Sequence, residues 1–318
     1  MSFLFLFLDG VGLGSNNKNS NPFAGNQMPN LEEILGGQAL TEMLGSTPIT
    51  TQRATFLSID ACLGIGGRPQ SASGQAAILT GKNIPLIIGE HYGPKPSADI
   101  KLILEENNLF SELHRSGNSV SFLNAFPDEY FLAIQSGRRI PGAIAMAVLA
   151  AGIPLNNAQN LQEGNAISAD FTAQGWHEHL NHTNMPIISP RQAGLRLSEL
   201  SRNYDFTFFE YWLSDYAGHK RNMRSARDLL FNLDQVLGGL LSTWDDEQGL
   251  ILITSDHGNL EDLSVRNHTR NPVPAILIGS VKMRQRFSRN LGKLTDIYPA
   301  IIDFFKNGSL KSKESQLI

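Results

Sequence analysis

Three apolar runs of strand length each end in an acid. Phe3 to Leu8 runs into Asp9-Gly10, and Phe206 to Leu213 runs into Ser214-Asp215-Tyr216-Ala217-Gly218-His219. Leu250 to Thr254 runs into Ser255-Asp256-His257-Gly258-Asn259. Runs that stay apolar, rather than alternating, predict strands buried on both faces, as in a parallel sheet covered by helices. Further strands are expected over 119–124 and 273–278, and helical spacing predicts helices over 29–35, 98–115, 223–241 and 294–305. Strand and helix patterns alternate, so the expected class is α/β with a mainly parallel sheet. In such sheets ligands bind beyond the carboxyl ends of the strands. Asp9, Asp215 and Asp256 would then gather along one edge with His219 and His257, in the outline of a metal site.

The rhythm breaks between 126 and 189. That stretch holds an Ala-rich helical pattern over 141–151, loops rich in Asn and Gln, and a His-bearing segment from Trp176 to His182. It resumes at Ser189-Pro190-Arg191-Gln192, a capped helix start before the Phe206 strand. The expected organisation is a core formed by 1–125 and 190–318, with 126–189 inserted as a small cap or lid.

Composition narrows the function classes. The net charge is -4 over 318 residues, which argues against nucleic acid as a partner. Cys62 is the only cysteine, so neither an internal disulfide nor a thiolate metal cluster is available. The run Phe3–Leu8 is short for a signal-peptide core and has no basic residue before it. No apolar run is long enough to span a bilayer. The expectation is a cytoplasmic protein with no membrane partner.

Each candidate residue also admits a plainer reading. Asp215 and His219 are four apart, which on a helix puts both on one face within reach of one cation, but also suits a solvated face. Asp9-Gly10 could be an ordinary turn after a strand. His268, in Asn267-His268-Thr269-Arg270-Asn271-Pro272-Val273-Pro274, could sit on a surface loop. Asp256-His257 is the stronger pair, because an acid and an imidazole directly after a buried strand need a reason to be there. In Gly66 to Gly81 a serine precedes an Ala/Ile/Leu run, placing a hydroxyl at a helix N-terminus, where the dipole favours an anion. It could equally be a simple N-cap. His91, His114, His177, His179 and His182 have no such context. Gly10-Val11-Gly12-Leu13-Gly14 lacks the lysine and the spacing of a nucleotide-binding loop.

Taken in order, these motifs resemble the alkaline phosphatase superfamily, and within it the metalloenzyme branch of cofactor-independent phosphoglycerate mutase and phosphopentomutase. The resemblance rests on Leu8-Asp9-Gly10, a Ser-x-x-Gly segment, Asp-x-x-Gly-His, Asp-His-Gly-Asn and His-Thr-x-Asn-x-Val-Pro. It implies a three-layer αβα sandwich and two divalent metal ions. Asp215, His219 and His268 would hold one ion. Asp9, Asp256 and His257 would hold the other, together with the hydroxyl of Ser71. Gly74 selects Ser71 over Ser73 as the nucleophile, because the family serine precedes the motif glycine by three positions.

Nitrogen and oxygen donors without thiolate suit Mn²⁺ or Zn²⁺, and two such ions can clamp a transferring phosphoryl group. The expected activity is phosphoryl transfer from a small phosphate ester through a phosphoserine. Gln75 stands where the mutases typically carry histidine, and the cap is short, so hydrolysis is expected ahead of a phosphomutase acting on phosphoglycerate or a phosphosugar. A phosphodiesterase and a non-catalytic metal-binding scaffold are the other readings. Arg68, Lys82, Arg138 and Arg139 are the cations that could meet a substrate phosphate.

Overall fold

The computed structural model describes residues 1–314. Its sheet has seven strands: β1 (Ser2–Leu8), β2 (Ile49–Thr50), β3 (Ala54–Ile59), β4 (Val120–Phe122), β5 (Phe206–Tyr211), β6 (Gly249–Thr254) and β7 (Val273–Ile278). The order across the sheet is β2-β3-β7-β6-β1-β5-β4. β1 lies inside the sheet, parallel to β5 on one side and to β6 on the other, and β4 extends β5 in parallel. β7 pairs antiparallel with both β6 and β3. The direction therefore reverses at β7 and reverses back at β3, so β1, β3, β4, β5 and β6 all run the same way.

β1 shows why its run is apolar throughout. Side chains alternate across a strand, so Phe3, Phe5 and Phe7 enter one core while Leu4, Leu6 and Leu8 enter the other. On the phenylalanine side, Phe5 and Phe208 meet with ring centroids 4.5 Å apart. That face is covered by the helices Ser71–Thr80, Ala98–Glu106, Leu109–Arg115 and Ala143–Ala150 and by the buried start of Ile297–Glu314. The leucine face is covered by Pro29–Ile34, Pro190–Ser201 and Met223–Thr243. The result is the αβα sandwich expected from the sequence, with an alkaline phosphatase-like arrangement of its mainly parallel sheet.

Pro190–Ser201 and Met223–Thr243 cross with almost no space between backbones. A Cβ on Gly194 would fall 2.0 Å from the carbonyl oxygen of Val236, and one on Gly239 would fall 2.1 Å from that of Arg191. Backbone cannot step aside as a side-chain tip can. Gly194→Ala is therefore expected to lower the unfolding free energy by about 1–3 kcal/mol, seen as a lower urea midpoint at unchanged slope. An unaltered midpoint would refute this close approach.

Three local features differ from the sequence expectation. β3 is absent from it because Thr55 and Ser58 interrupt the apolar run. Thr55 is nevertheless buried, its hydroxyl accepting from the equally buried Arg284 guanidinium at 2.9 Å. The single helix expected over 98–115 is two, because Asn108 and Ser111 form a capping box that starts a new helix. The run ending at Leu213 stops as a strand at Tyr211, and Leu213–Lys220 is already helix. Between 126 and 189 there are four short helices, Asp128–Gln135, Ala143–Ala150, Ala158–Gln162 and Gln174–Leu180. Ala143 to Val148 are buried in the phenylalanine-side core, while Leu161, Ala166, Trp176 and Met185 form a small cluster of their own with Ala125 and Ala173. Among the described residues no helix is long and apolar enough to cross a membrane.

Candidate metal centre

The strand directions decide which side chains meet. β1, β5 and β6 end at one edge of the sheet, so Asp9, Asp215 and Asp256 emerge there together. β3 ends at the same edge, and the loop after it leads to Ser71 at the first turn of Ser71–Thr80. β7 runs the opposite way, so it is the residues before it, His268 among them, that reach this edge. All seven sequence candidates thus lie in one place.

They form two overlapping groups. Ligand atoms of Asp215, His219 and His268 lie within 4.8 Å of one another, and so do those of Asp9, Asp215 and His257. Asp215 belongs to both, so it sits between the two clusters rather than within one. His219 Nε2 is 3.2 Å from Asp215 Oδ2, and His268 Nε2 is 3.5 Å from Asp215 Oδ1. His257 Nε2 is 3.4 Å from Asp9 Oδ1, 3.6 Å from Asp256 Oδ2 and 2.9 Å from the Ser71 hydroxyl. The hydroxyl of Ser73, by contrast, donates to the Gln70 carbonyl and accepts from the Tyr92 amide.

The donor set fits cations. Asp9 Oδ1 and Asp256 Oδ2 are buried and, among the described residues, have no hydrogen-bond partner. Buried polar atoms are ordinarily satisfied, and two orphaned carboxylate oxygens facing one imidazole nitrogen leave a place for a positive charge. His268 Nδ1 is 2.9 Å from the Pro69 carbonyl. With that outer nitrogen engaged, His268 Nε2 faces His219 Nε2 at 3.2 Å. Backbone carbonyls commonly orient metal-ligating histidines in this way.

Protonation states agree. Burial pushes His257 and His268 down to about 4, so both are neutral at physiological pH and have lone pairs to give. Burial raises Asp256 to about 7, with the Asp215 charge adding to it. Asp9 is raised by burial and by the negative charges of Asp256, Asp215 and Glu210. For Asp215 burial acts upward too. The His219 hydrogen bond, with the charges that His257 and His268 take on once protonated in acid, outweighs it and holds the carboxyl well below the usual range. Several buried carboxyls crowded together without a cation repel one another.

The glycines of the motifs allow this crowding. Gly10 has φ 69°, and a Cβ there would lie 2.6 Å from Asp215 Oδ1. Gly74 brings the Ser71 helix against the Asp256 strand end, where a Cβ would stand 3.0 Å from Asp256 Cβ.

Glu261 is a part of the centre that sequence reasoning missed. It is fully buried and accepts from the Gly12 amide at 3.0 Å, the Asn259 amide at 2.7 Å, the Asn271 side chain at 3.0 Å and the Thr269 hydroxyl. One carboxylate therefore gathers the β6–β7 loop on itself and pins it to the loop after β1. The only signal was its place two residues after Asn259 in a polar stretch. Glu261→Ala would strand four donors, three on the β6–β7 loop and one on the loop after β1, and is expected to cost at least about 3 kcal/mol of stability. A denaturant midpoint within error of the parent would exclude that role.

Of the four cations named from sequence, only Arg68 lines the cleft beside the centre. Lys82 pairs with Glu106 at 2.7 Å. Arg138 donates to Ser136, and Arg139 lies over the Tyr130 ring.

Residues 193–307 match the family described as Metalloenzyme superfamily. That span, about a third of the chain, is similar to this family. Within the matched span lie Asp215, His219, Asp256, His257 and His268; Asp9 and Ser71 lie outside it. A 2,3-bisphosphoglycerate-independent phosphoglycerate mutase from Antithamnion sp. is 35% identical over 106 residues, 31% of this chain and 21% of that protein. The matched stretch thus spans about a fifth of the length of such curated relatives. Among solved structures, the PH0037 protein from Pyrococcus horikoshii superposes with a TM-score of 0.57 at 16% identity, covering 96% of each chain. Alkaline phosphatase from the Antarctic bacterium TAB5 superposes with a TM-score of 0.53 at 12% identity, covering 96% of this chain and 97% of that one. These likenesses show an alkaline phosphatase-like fold.

Proposed function

We propose that this protein is a two-metal phosphoryl-transfer enzyme that hydrolyses a small phosphate monoester through a phosphoserine on Ser71. The observation that carries the reading is the convergence of Ser71 Oγ, Asp9 Oδ1 and Asp256 Oδ2 on His257 Nε2, within 2.9, 3.4 and 3.6 Å. A serine hydroxyl needs activation to act as a nucleophile, and the surroundings are those of a cation site rather than of a hydroxyl held by a general base. Asp9, Asp256 and His257 would hold one divalent ion with Ser71, and Asp215, His219 and His268 the other, with Asp215 close to both. Bound there, Mn²⁺ or Zn²⁺ would lower the serine pKa and neutralise charge on the transferring group.

The chain's own residues do the rest. Ser71 occupies the first turn of a ten-residue buried helix, whose positive dipole end faces an incoming phosphate. Its Oγ attacks phosphorus in line, the ester oxygen leaves, and water later cleaves the phosphoserine. Gln75 donates to Asp9 Oδ2 at 3.3 Å and so holds that carboxylate with its other oxygen toward His257 Nε2. Residues 126–189 would act as a small cap on the core, and the lone cysteine accords with a cytoplasmic setting.

Hydrolysis of p-nitrophenyl phosphate and bis(p-nitrophenyl) phosphate, by metal-stripped protein resupplied with Mn²⁺ or Zn²⁺, tests the proposal. Metal-dependent turnover of the monoester is expected. Preference for the diester would replace the reading with a phosphodiesterase. A phosphomutase is the second reading, favoured by the phosphoglycerate mutase relatives. It predicts negligible hydrolysis of either ester but metal-dependent exchange of a phosphoryl group between hydroxyls of one substrate.

A further inference from the structure

The helix Leu213–Lys220 bears Asp215 and His219 on one face, and that face also bears two exposed aromatic rings. Trp212 precedes the helix with helical backbone angles, so residues 212, 215, 216 and 219 form one stripe at intervals of three and four. Aromatic ring and ligand alternate along it. The other face, Ser214, Ala217 and Gly218, is buried. Neighbours on such a stripe have Cβ atoms about 5–6 Å apart, so each ring stands beside a member of the Asp215, His219 and His268 group. The centre opens on this side: the His219 side chain is 45% exposed, whereas Asp9, Asp256 and His257 are buried.

This exposure is unusual for the chain. Of its three tryptophans, Trp176 and Trp244 are buried, while Trp212 is 43% exposed. Tyr216, at 53%, is the most exposed of the described tyrosines. Two large aromatic surfaces left in water forfeit the gain that burial of such side chains brings. The rings lie 6.3 Å apart and 79° to each other, which makes an open corner. Lys220 Nζ sits 5.0 Å from the Tyr216 ring centroid and supports that wall of the corner. Among the described residues Trp212 meets no other aromatic ring.

We infer that Trp212 and Tyr216 form a stacking platform for the organic group of the substrate, which is therefore an ester carrying an aryl or heteroaryl ring. This rests on the phosphoryl-transfer reading for the place of the phosphate and goes beyond it in naming the class of the esterified group. A phosphate held at the centre directs its ester group toward the open side, where the stripe places the corner. A planar ring there can lie on one aromatic face and meet the edge of the other. Such pairing adds about three- to tenfold in affinity beyond the area buried.

The test is calorimetric binding to metal-loaded Ser71→Ala protein, which keeps both rings and lacks the proposed nucleophile. Phenylethyl and naphthylethyl phosphates are each compared with the ring-saturated counterpart, which is similar in reach and apolar area but has no π face. The aromatic member of at least one pair is expected to bind about three- to tenfold tighter. That advantage should vanish in Trp212→Ala/Tyr216→Ala protein and persist in Trp212→Phe/Tyr216→Phe protein. Metal content and melting temperature of each variant show that the fold and the centre persist. Equal affinities within both pairs, or an advantage that survives the double alanine variant, would overturn the platform. So would equal affinities together with a lower sedimentation coefficient of the double alanine variant, which would assign the rings to contact with a second copy of the chain. A ring-dependent advantage in a protein whose parent form turns over no monoester would overturn the reaction and leave the platform standing. Turnover of monoesters without that advantage would do the reverse.

Discussion

Ser71→Ala is expected to lower turnover of a phosphate monoester by at least about a thousandfold while the protein still takes up divalent metal. The expectation follows from where the hydroxyl sits. Ser71 Oγ is 2.9 Å from His257 Nε2, at the meeting point of buried acid and imidazole groups, and Ser73 nearby is already engaged on both sides. Ser73→Ala should accordingly leave the rate within a few-fold of the parent. Six carboxylate and imidazole ligands remain in the Ser71 variant, so metal content, read by elemental analysis, should stay near the parent's. Trapping the parent with labelled substrate under acid quench should place phosphate on Ser71. Retained turnover in Ser71→Ala would exclude the phosphoserine route, and loss of metal together with turnover would make Ser71 chiefly a structural ligand.

The second large effect is on stability. Restoring Mn²⁺ or Zn²⁺ to metal-stripped protein at a hundredfold excess over its dissociation constant is expected to raise the unfolding free energy by about 2.7 kcal/mol per site. The gain should depend on pH with a definite sign. Without metal, the Asp256 carboxyl has a folded pKa of about 7, above its ordinary value of 3.8. The folded state then binds more protons than the unfolded one across that interval. Stability from this group is fully present below the ordinary carboxylate pKa and is lost as pH rises to about 7. His257 acts the other way, since its folded value of about 4 lies below 6.5, and it costs stability as pH falls through that range. Metal binds the deprotonated forms of both. The increment on adding metal should therefore grow from pH 5.5 to pH 8. Urea unfolding at the two values, with and without metal, measures it. Equal increments would show that these buried groups are not the ligands.

Much of this site was legible before any coordinates, and the reason is geometric. An acid placed directly after a buried parallel strand can hardly point anywhere but beyond the sheet edge, so Asp9, Asp215 and Asp256 announced their common location. Asp215 and His219 were readable as one turn of helix. His268 was harder, because its place depends on β7 running against its neighbours, and a single strand pattern carries no direction. Glu261 was invisible for a related reason. Its four donors come from residues 12, 259, 269 and 271, and only folding brings the first of these to the rest. The cleft beside the centre likewise joins residue 68 to residues 266 and 270 across a loop contact that no spacing rule records. β3 was lost to its two hydroxyl residues, whose burial is made tolerable in the case of Thr55 by Arg284, more than 200 positions away. Local pattern captured what strands and helices dictate, and missed what one loop does to another.

The position of β1 sets an order of events in the making of the protein. β1 is an interior strand of the finished sheet, yet its two neighbours, Phe206–Tyr211 and Gly249–Thr254, are translated about 200 and 250 residues after it. Until then its phenylalanines and leucines have no sheet partner, and such long-range pairing is intrinsically slow. A fragment limited to 193–307 would have a gap where β1 belongs and would lack Asp9 and Ser71 altogether. The full set of proposed metal donors exists only once the chain has been read through His268, so a nascent chain stalled before that point has no complete centre to fill.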